Sequence, residues 1–210
     1  MGYKELIKSF TKDNFHNNVN LHIHSSFSDG IMTPEDIVNQ AKSKGFEYIS
    51  ITDHNNLDGY LKTDLSNESM VISGIEFDCW YGTTFFHLLG YGFDINTDLL
   101  NPFLAKNKKD TEADYVRIFA KRDIKKLIPA IHDAGGIAVL AHPACYWCLN
   151  LEGFVKQLMS FGLDGIEVYY PYERHRGIIK FHSRKTVEKI ADKYNLIKTG
   201  GTDCHGSELH

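Results

Sequence analysis

Residues 18–36, NVNLHIHSSFSDGIMTPED, contain the pattern that decides the fold. Asn18–His24 predicts a buried strand that ends in two histidines. Thr33-Pro34 then supplies a helix N-cap and a proline at the first helical position, and acidic residues follow in the first turn. The predicted helix runs to Lys44 and ends at Gly45. A strand followed by a helix is the repeating unit of α/β folds.

The same alternation continues along the chain. Further strands are predicted at Phe46–Thr52, Met70–Phe77, Phe85–Tyr91, Ile137–Ala141, Gly165–Tyr170 and Leu196–Thr199. Helices are predicted at Asp110–Ala134, with a break or kink at Pro129, and at Leu151–Phe161 and Ile178–Tyr194. This order predicts a mainly parallel sheet. If the sheet closes into a barrel, the active site belongs at the carboxyl ends of its strands.

Composition limits the function classes. The 210 residues suffice for one domain, and the formal net charge of −4 argues against a large nonspecific nucleic-acid surface, so no stable nucleic-acid complex is expected. No apolar run is long enough to span a membrane, and the N-terminus lacks the apolar core of a signal peptide, so we expect a cytoplasmic protein. The oligomeric state is not evident from the sequence.

Histidines and acids recur where apolar stretches end. Four runs show this pattern: His22-Ile23-His24, Thr52-Asp53-His54, Ala141-His142-Pro143 and Thr202-Asp203-Cys204-His205. Side chains two apart in a strand share a face, so His22 and His24 can reach one metal ion. Four such clusters predict a metalloenzyme.

Other residues admit two interpretations. Asp29 is either a turn former or a ligand, and a buried Glu76 requires a metal or a basic partner. For His87, beside the other clusters, a ligand role is favoured over a core histidine. Asp53 either orients a ligand or water, or caps a strand. Cys145-Tyr146-Trp147-Cys148 is interpreted as two incidental thiols in preference to a zinc or redox pair.

Together these motifs resemble those of the PHP (polymerase and histidinol phosphatase) family, from about residue 18 to the end of the chain. The matching segments are His22-x-His24, Ser28-Asp29-Gly30, Thr52-Asp53-His54-Asn55, Gly74-Ile75-Glu76, His87, Ala141-His142-Pro143 and Gly201-Thr202-Asp203-Cys204-His205. The resemblance implies a distorted seven-stranded β/α (TIM-like) barrel. It also implies a single PHP domain over residues 1–210, with an N-terminal extension at 1–17 and a short cap-like insertion at 92–135.

The resemblance further implies up to three divalent metal ions (Mn, Fe or Zn) around a bridging hydroxide. His22, His24, Glu76 and Asp203 would hold the first ion. Glu76, His87 and His142 would hold the second, with Glu76 as the bridge. Asp29, His54 and His205 would hold the third. Nitrogen and oxygen donors of this kind suit all three metals.

Relatives often carry a basic residue after Ala-His-Pro, and this chain has Cys145 there. Arg174 and Arg176 are therefore the candidate phosphate-binding residues, and His175 is a candidate general acid; Asp53 is the other catalytic candidate. The alternative for the loop of Arg174 and Arg176 is a solvated surface.

The motifs lead us to expect a metal-dependent phosphoesterase acting on small phosphate esters, either nucleotides or oligonucleotide ends. Histidinol-phosphate phosphatase is a second hypothesis. A third, of another class, is a non-catalytic PHP module, although such modules have typically lost ligands that this chain retains. Hydrolysis of C–N bonds by an amidohydrolase-like barrel is not excluded by the ligands alone.

Overall fold

The structure is a computed structural model that describes residues 2–65, 68–119, 122–175 and 181–210, with the backbone alone for Asp114, Arg174 and His175. Seven strands are present in these residues. They are β1 (Val19–Ile23), β2 (Tyr48–Ile51), β3 (Gly74–Tyr81), β4 (Thr84–Tyr91), β5 (Ile137–Leu140), β6 (Gly165–Tyr169) and β7 (Ile197–Gly200). Each lies within about four residues of its predicted position, and β3 begins and ends later than expected.

The strands form two sheets. β1 and β2 pair in parallel, while the other five follow the order β3-β4-β5-β6-β7. Isolated bridges, Ile49 to Val71, His54 to Glu76 and Ile23 to Cys204, connect the two sheets. Over the described residues the strands do not form one continuous closed barrel, and the fold is mixed α/β.

The expectation of a mainly parallel sheet is wrong at β4, which pairs antiparallel with both β3 and β5. The cause is the short connection after β3, where Tyr81 pairs with Thr84 across a two-residue turn. Gly82 supplies the left-handed conformation (φ +59°) that such a hairpin turn requires. A parallel neighbour would need a much longer crossover.

Ten helices surround the strands in the described residues. They are α1 (Tyr3–Ser9), α2 (Lys12–Asn17), α3 (Pro34–Lys44), α4 (Asp58–Leu61), α5 (Lys109–Glu112), α6 (Asp114–Arg117), α7 (Ile124–Asp133), α8 (Leu151–Met159), α9 (Tyr172–His175) and α10 (Arg184–Tyr194). As predicted, α3 starts at a Thr33 capping box and ends at a left-handed Gly45. No helix among the described residues is long and apolar enough to cross a membrane.

Two helix predictions need correction. The predicted helix Asp110–Ala134 is three short helices, and α7 runs through Pro129 instead of breaking there. The Asp123 side chain accepts a hydrogen bond from the Lys125 N–H and so starts a new helix. The carbonyl that Pro129 leaves without a helical partner belongs to exposed Lys125, where water can replace the bond.

The second correction concerns the predicted helix Ile178–Tyr194. Residues 178–180 lie outside the described residues, and α10 begins only at Arg184. The Ser183 side chain accepts a hydrogen bond from the Thr186 N–H, which defines the helix start.

The N-terminal helix completes one of the two hydrophobic clusters. Ile7 of α1 is fully buried. It belongs to a cluster with residues from β1, β4, β5 and β7, among them Leu21, Leu89 and Val139. At the surface, Lys4 pairs with Asp164 at 2.6 Å. The segment before β1 is therefore packed into the core.

Ile7→Ala is expected to lower the free energy of unfolding by about 2–4 kcal/mol, because it leaves a cavity at a site with no access to water. Urea denaturation of the variant measures this, with exposed Lys8→Ala as the matched control. Equal stability of the two variants would show that α1 is only loosely attached.

Candidate metal centre

The carboxyl ends of the strands bring the predicted ligands together. His22 and Glu76 lie within β1 and β3, and His87 lies within β4. The remaining ligands follow the ends of β1, β2, β5 and β7: His24, Asp29, His54, His142, Asp203 and His205. All nine occur in groups whose donor atoms lie within 4.8 Å of one another. We call His22, His24, Glu76 and Asp203 the first group, Glu76, His87 and His142 the second, and His24, Asp29, His54 and His205 the third.

Glu76 lies at the centre of these groups. Its Oε2 is 3.2 Å from Nε2 of both His22 and His24. Its Oε1 is 3.0 Å from His87 Nδ1 and 3.1 Å from His142 Nε2. One carboxylate oxygen therefore faces the first group and the other faces the second, as a bridging ligand requires.

The third group forms around a loop that follows β1. Asp29 Oδ1 is 3.2 Å from His205 Nε2 and 3.5 Å from His24 Nδ1. Asp29 Oδ2 is 3.6 Å from His54 Nε2. The His24 ring stacks on those of His54 and His205, at centroid separations of 4.5 and 4.1 Å. His24 thus lies between the first and third groups.

Buried donors without hydrogen bonds fit bound cations. Both ring nitrogens of His24, a member of the first and third groups, are shielded from solvent and have no hydrogen-bond partner. Glu76 is also buried, with only histidine nitrogens as its close side-chain partners. Burying such polar atoms without partners is costly. A set of nitrogen and carboxylate donors is the kind that divalent metals occupy.

The carboxylates dominate the electrostatics of the cluster. Burial opposes a charge on His24, yet Asp203 and Glu76 raise its pKa to about 9. His87 behaves in the same way: burial opposes its charge, but Glu76 and Asp78 raise its pKa to about 10. Burial instead lowers the pKa of His54 to about 3. Protons therefore occupy part of the cluster, and a bound cation would have to displace them.

Two ligands have a strained backbone. His142 has φ +21° and Asp203 has φ +50°, in the left-handed region that favours glycine. Both lie where a strand has just ended and the chain turns. Such conformations cost about 1–3 kcal/mol each and persist where the surrounding structure imposes them.

Three further carboxylates support the ligands. Glu167 Oε1 is 3.0 Å from His22 Nδ1, and its Oε2 accepts the His142 N–H at 2.8 Å. Asp78 Oδ1 is 3.2 Å from His87 Nε2. Asp53 accepts hydrogen bonds from Ser25 and Ser28, which hold the loop that carries Asp29. This geometry favours the orienting role among those considered for Asp53.

Asp78, Glu167 and Arg117 were not among the residues predicted from the sequence. Asp78 could have been found, because it shares a strand face with Glu76 two residues earlier. Glu167 also had a signal, an acid inside an apolar strand. Arg117 had none, since it lies in a charged helical segment and meets Asp29 only in the folded chain, with Nη1 2.8 Å from Oδ2.

A cavity of about 480 Å³ opens above the ligands. Besides predicted ligands, its lining in the described residues contains Phe85, Arg117 and Ile118. Arg117 is buried, and it also donates to the Thr111 carbonyl at 3.3 Å. Trp80 donates to the Ile118 carbonyl at 2.6 Å, which fixes the apolar side of the opening. The cavity is therefore lined by predicted metal ligands, by the cationic side chain of Arg117, and by the apolar side chains of Phe85 and Ile118.

The candidate phosphate-binding residues that follow β6 lie largely outside the described part of the chain. The side chains of Arg174 and His175 are not among the described atoms, and Arg176 lies outside the described residues. Their roles stay predictions. Among the described residues, Cys145 and Cys148 take part neither in a disulfide nor in a candidate metal-ligating group.

Comparison with known proteins places this geometry in a family. The model of the PHP domain matches residues 20–175. A 5′-3′ exoribonuclease of Haemophilus influenzae is 23% identical, covering 88% of this chain and 89% of its own length. A phosphoribosyl 1,2-cyclic phosphate 1,2-diphosphodiesterase of Eggerthella lenta is 25% identical, covering 89% and 93%.

Solved structures agree on the fold. A protein of Chromobacterium violaceum described as an amidohydrolase superposes with a TM-score of 0.74 at 20% identity, over 92% of this chain and 90% of its own. A protein of Bifidobacterium adolescentis classed as a metal-dependent phosphoesterase gives a TM-score of 0.69 at 20% identity, over 91% and 88%. With the domain match and the clustered ligands, these findings show that the chain belongs to the PHP family of metal-dependent phosphoesterases.

Proposed function

We propose that the protein hydrolyses small nucleotide-type phosphate esters, including oligonucleotide ends, at a centre of up to three divalent ions. The observation that carries the proposal is Glu76, whose two oxygens face two separate sets of histidines. Bound divalent ions would supply water with a pKa near neutrality and would neutralise phosphate oxygens. Mn, Fe and Zn all suit these donors.

The chain's own residues hold and orient this chemistry. The nine predicted ligands would bind the ions, with Glu76 shared between the first and second groups. Glu167 would orient His22 through Nδ1, and Asp53 would position the Asp29 loop. Tyr170 donates a hydrogen bond to Asp203 Oδ2 at 2.8 Å, which leaves Oδ1 directed at His22 and His24. We propose no direct catalytic step for Asp53.

Arg117 is proposed as the residue that contacts substrate phosphate. Its guanidinium lines the cavity beside Asp29 and is held by the Thr111 carbonyl. A planar guanidinium suits phosphate oxygens and cannot ligate a cation. Arg174, His175 and Arg176, in the sequence that follows β6, stay proposed as a second basic element with a general acid.

Arg117→Ala is expected to lower kcat/KM for phosphate esters about ten- to a hundredfold, because one charge-assisted contact contributes about 1.5–3 kcal/mol. Steady-state kinetics at verified metal content measures this. Arg117→Lys, which keeps the charge, should lose less. If Arg117→Ala kept the native KM while Arg174→Ala raised it, Arg174 and not Arg117 would be the residue that binds the substrate phosphate.

The nucleotide class is supported by relatives and by the cavity. Besides the exoribonuclease, a 3′,5′-nucleoside bisphosphate phosphatase of Chromobacterium violaceum is 27% identical over 69% of this chain and 50% of its own. The cavity volume of about 480 Å³ is in the range of small-molecule sites. Phe85 and Ile118 offer an apolar surface to the group that carries the phosphate.

A phosphate-release screen with added Mn²⁺ tests the proposal. It compares nucleotides, short oligonucleotides, sugar phosphates and histidinol phosphate, the last representing the alternative phosphatase activity. Nucleotide-type esters should be turned over fastest. Preference for histidinol phosphate would replace the proposed substrate class, and absence of turnover in metal-loaded protein would favour a non-catalytic module.

The domain organisation is proposed from the same family. We propose one PHP domain in which the two sheets together correspond to a distorted seven-stranded barrel. The bridge from Ile23 to Cys204 supports this, because it brings β1 next to the segment after β7. Residues 92–135 are proposed as the short cap, since Arg117 and Ile118 of this segment reach the cavity.

A further inference from the structure

Asp78 lies behind two histidines that belong to different groups, and with these two histidines it makes a fourth set of donor atoms within 4.8 Å of one another. Its side chain is fully buried on β3, two residues after Glu76. Asp78 Oδ1 is 3.2 Å from His87 Nε2 and 3.6 Å from His54 Nδ1. His87 belongs to the second group and His54 to the third. One oxygen atom is therefore close to both.

The two histidines direct their other nitrogens to the opposite side. His87 Nδ1 is 3.0 Å from Glu76 Oε1 and 3.3 Å from His142 Nε2. His54 Nε2 is 3.5 Å from Glu76 Oε2 and 3.6 Å from Asp29 Oδ2. A neutral histidine that binds a metal through one nitrogen carries its proton on the other. Both of those protons would then point at Asp78 Oδ1.

Arg117 Nε also approaches Asp78 Oδ1, at 3.8 Å, which is too long for a hydrogen bond. His54 Nδ1 and Asp78 Oδ1 are buried without a geometrically sound hydrogen bond. The other carboxylate oxygen, Oδ2, accepts a hydrogen bond from the Asn55 side chain, and the Asp78 N–H donates to Asn55 Oδ1 at 2.9 Å. Asn55 thus fixes the carboxylate while leaving Oδ1 directed at the histidines.

We propose that Asp78 is a positioning residue that sets the tautomers of His54 and His87 together and so couples metal binding in the second and third groups. The inference rests on the metal centre proposed above. A carboxylate behind a metal-binding histidine raises its basicity and fixes its ring, and loss of one such partner typically lowers metal affinity about 10- to 100-fold. Because Oδ1 is shared, one substitution should weaken two groups.

The test is Mn²⁺ occupancy of Asp78→Asn at graded free Mn²⁺, counted by elemental analysis and located by anomalous diffraction. We expect the first group to fill as in the native protein, and the second and third groups to need about 10- to 100-fold more Mn²⁺. Asp53→Asn is the matched control, because Asp53 is also a buried carboxylate but accepts its hydrogen bonds from serines. In this control variant the second group should fill as in the native protein.

Three results would overturn the inference. These are unchanged occupancy of both groups, loss confined to one of them, and a Mn²⁺ ion bound in the native protein between Asp78 and the two outward nitrogens.

If Asp78→Asn does not fold, Asn55→Gly replaces it, since φ +55° at this position suits glycine and the change releases the Asp78 carboxylate. That variant should weaken the same two groups, and filling as in the native protein would likewise overturn the inference. Native protein that binds no Mn²⁺ would instead contradict the metal centre itself.

Discussion

Chelation of divalent metal is expected to abolish phosphoesterase activity, and Mn²⁺, Zn²⁺ or Fe²⁺ should restore it. Most of the polar groups lining the cavity are predicted metal ligands, so little else in the described site could activate water. The metal-loaded protein should also unfold at a higher temperature, because each site stabilises the folded chain by about 2.7 kcal/mol at a free metal concentration one hundred times its dissociation constant.

Phosphate release and thermal denaturation before and after dialysis against a chelator measure both effects. A matched sample dialysed without chelator controls for handling losses. Full activity in protein verified by elemental analysis to be free of metal would refute metal dependence. Restoration of activity without any rise in thermal stability would place the ions outside the buried cluster.

Glu76→Gln is expected to reduce kcat about a thousandfold or more, and far more than Asp29→Asn. Glu76 faces the first and second groups through separate oxygens, so an amide removes charge from both at once. Asp29 contacts members of the third group, together with Arg117 and the Ser28 hydroxyl. Loss of a few kcal/mol of transition-state stabilisation corresponds to this factor, about tenfold for each 1.4 kcal/mol.

The comparison is made at matched metal content, with kcat and KM determined separately for both variants. Both changes replace a carboxylate with an amide of the same shape, so each is the other's steric control. Equal loss of turnover in the two variants would contradict the bridging position of Glu76. A larger loss in Asp29→Asn would make the third group the centre of the reaction.

Local sequence patterns predicted much of the fold because the signals were strong. The Thr33 cap and Gly45 define α3 without help from the rest of the chain. Both β3 and β4 were predicted, but their antiparallel pairing was not. Gly82 lies between two apolar runs that could equally be parallel strands. The division of the strands into two sheets depends on contacts between distant segments and has no local signal.

The resemblance to the motifs of the PHP family implied the nine ligands, and the structure brings these nine side chains together. That they bind metal stays a prediction. The supporting residues are harder to predict, since Glu167 and Asp78 contact the predicted ligands His22 and His87 and belong to none of the motifs. Arg117 depends on how the segment between β4 and β5 folds over the opening, which periodicity does not determine.

The left-handed backbone at His142 and Asp203 has an evolutionary consequence. Glycine at either position would relieve strain in the folded chain, so selection for stability alone would favour losing these side chains. A single-nucleotide change converts an aspartate codon into a glycine codon. At Asp203 that change would remove a predicted ligand of the first group. In a lineage that no longer bound metal, glycine at these two positions would relieve strain in the metal-free chain, so inactive descendants should accumulate glycine there.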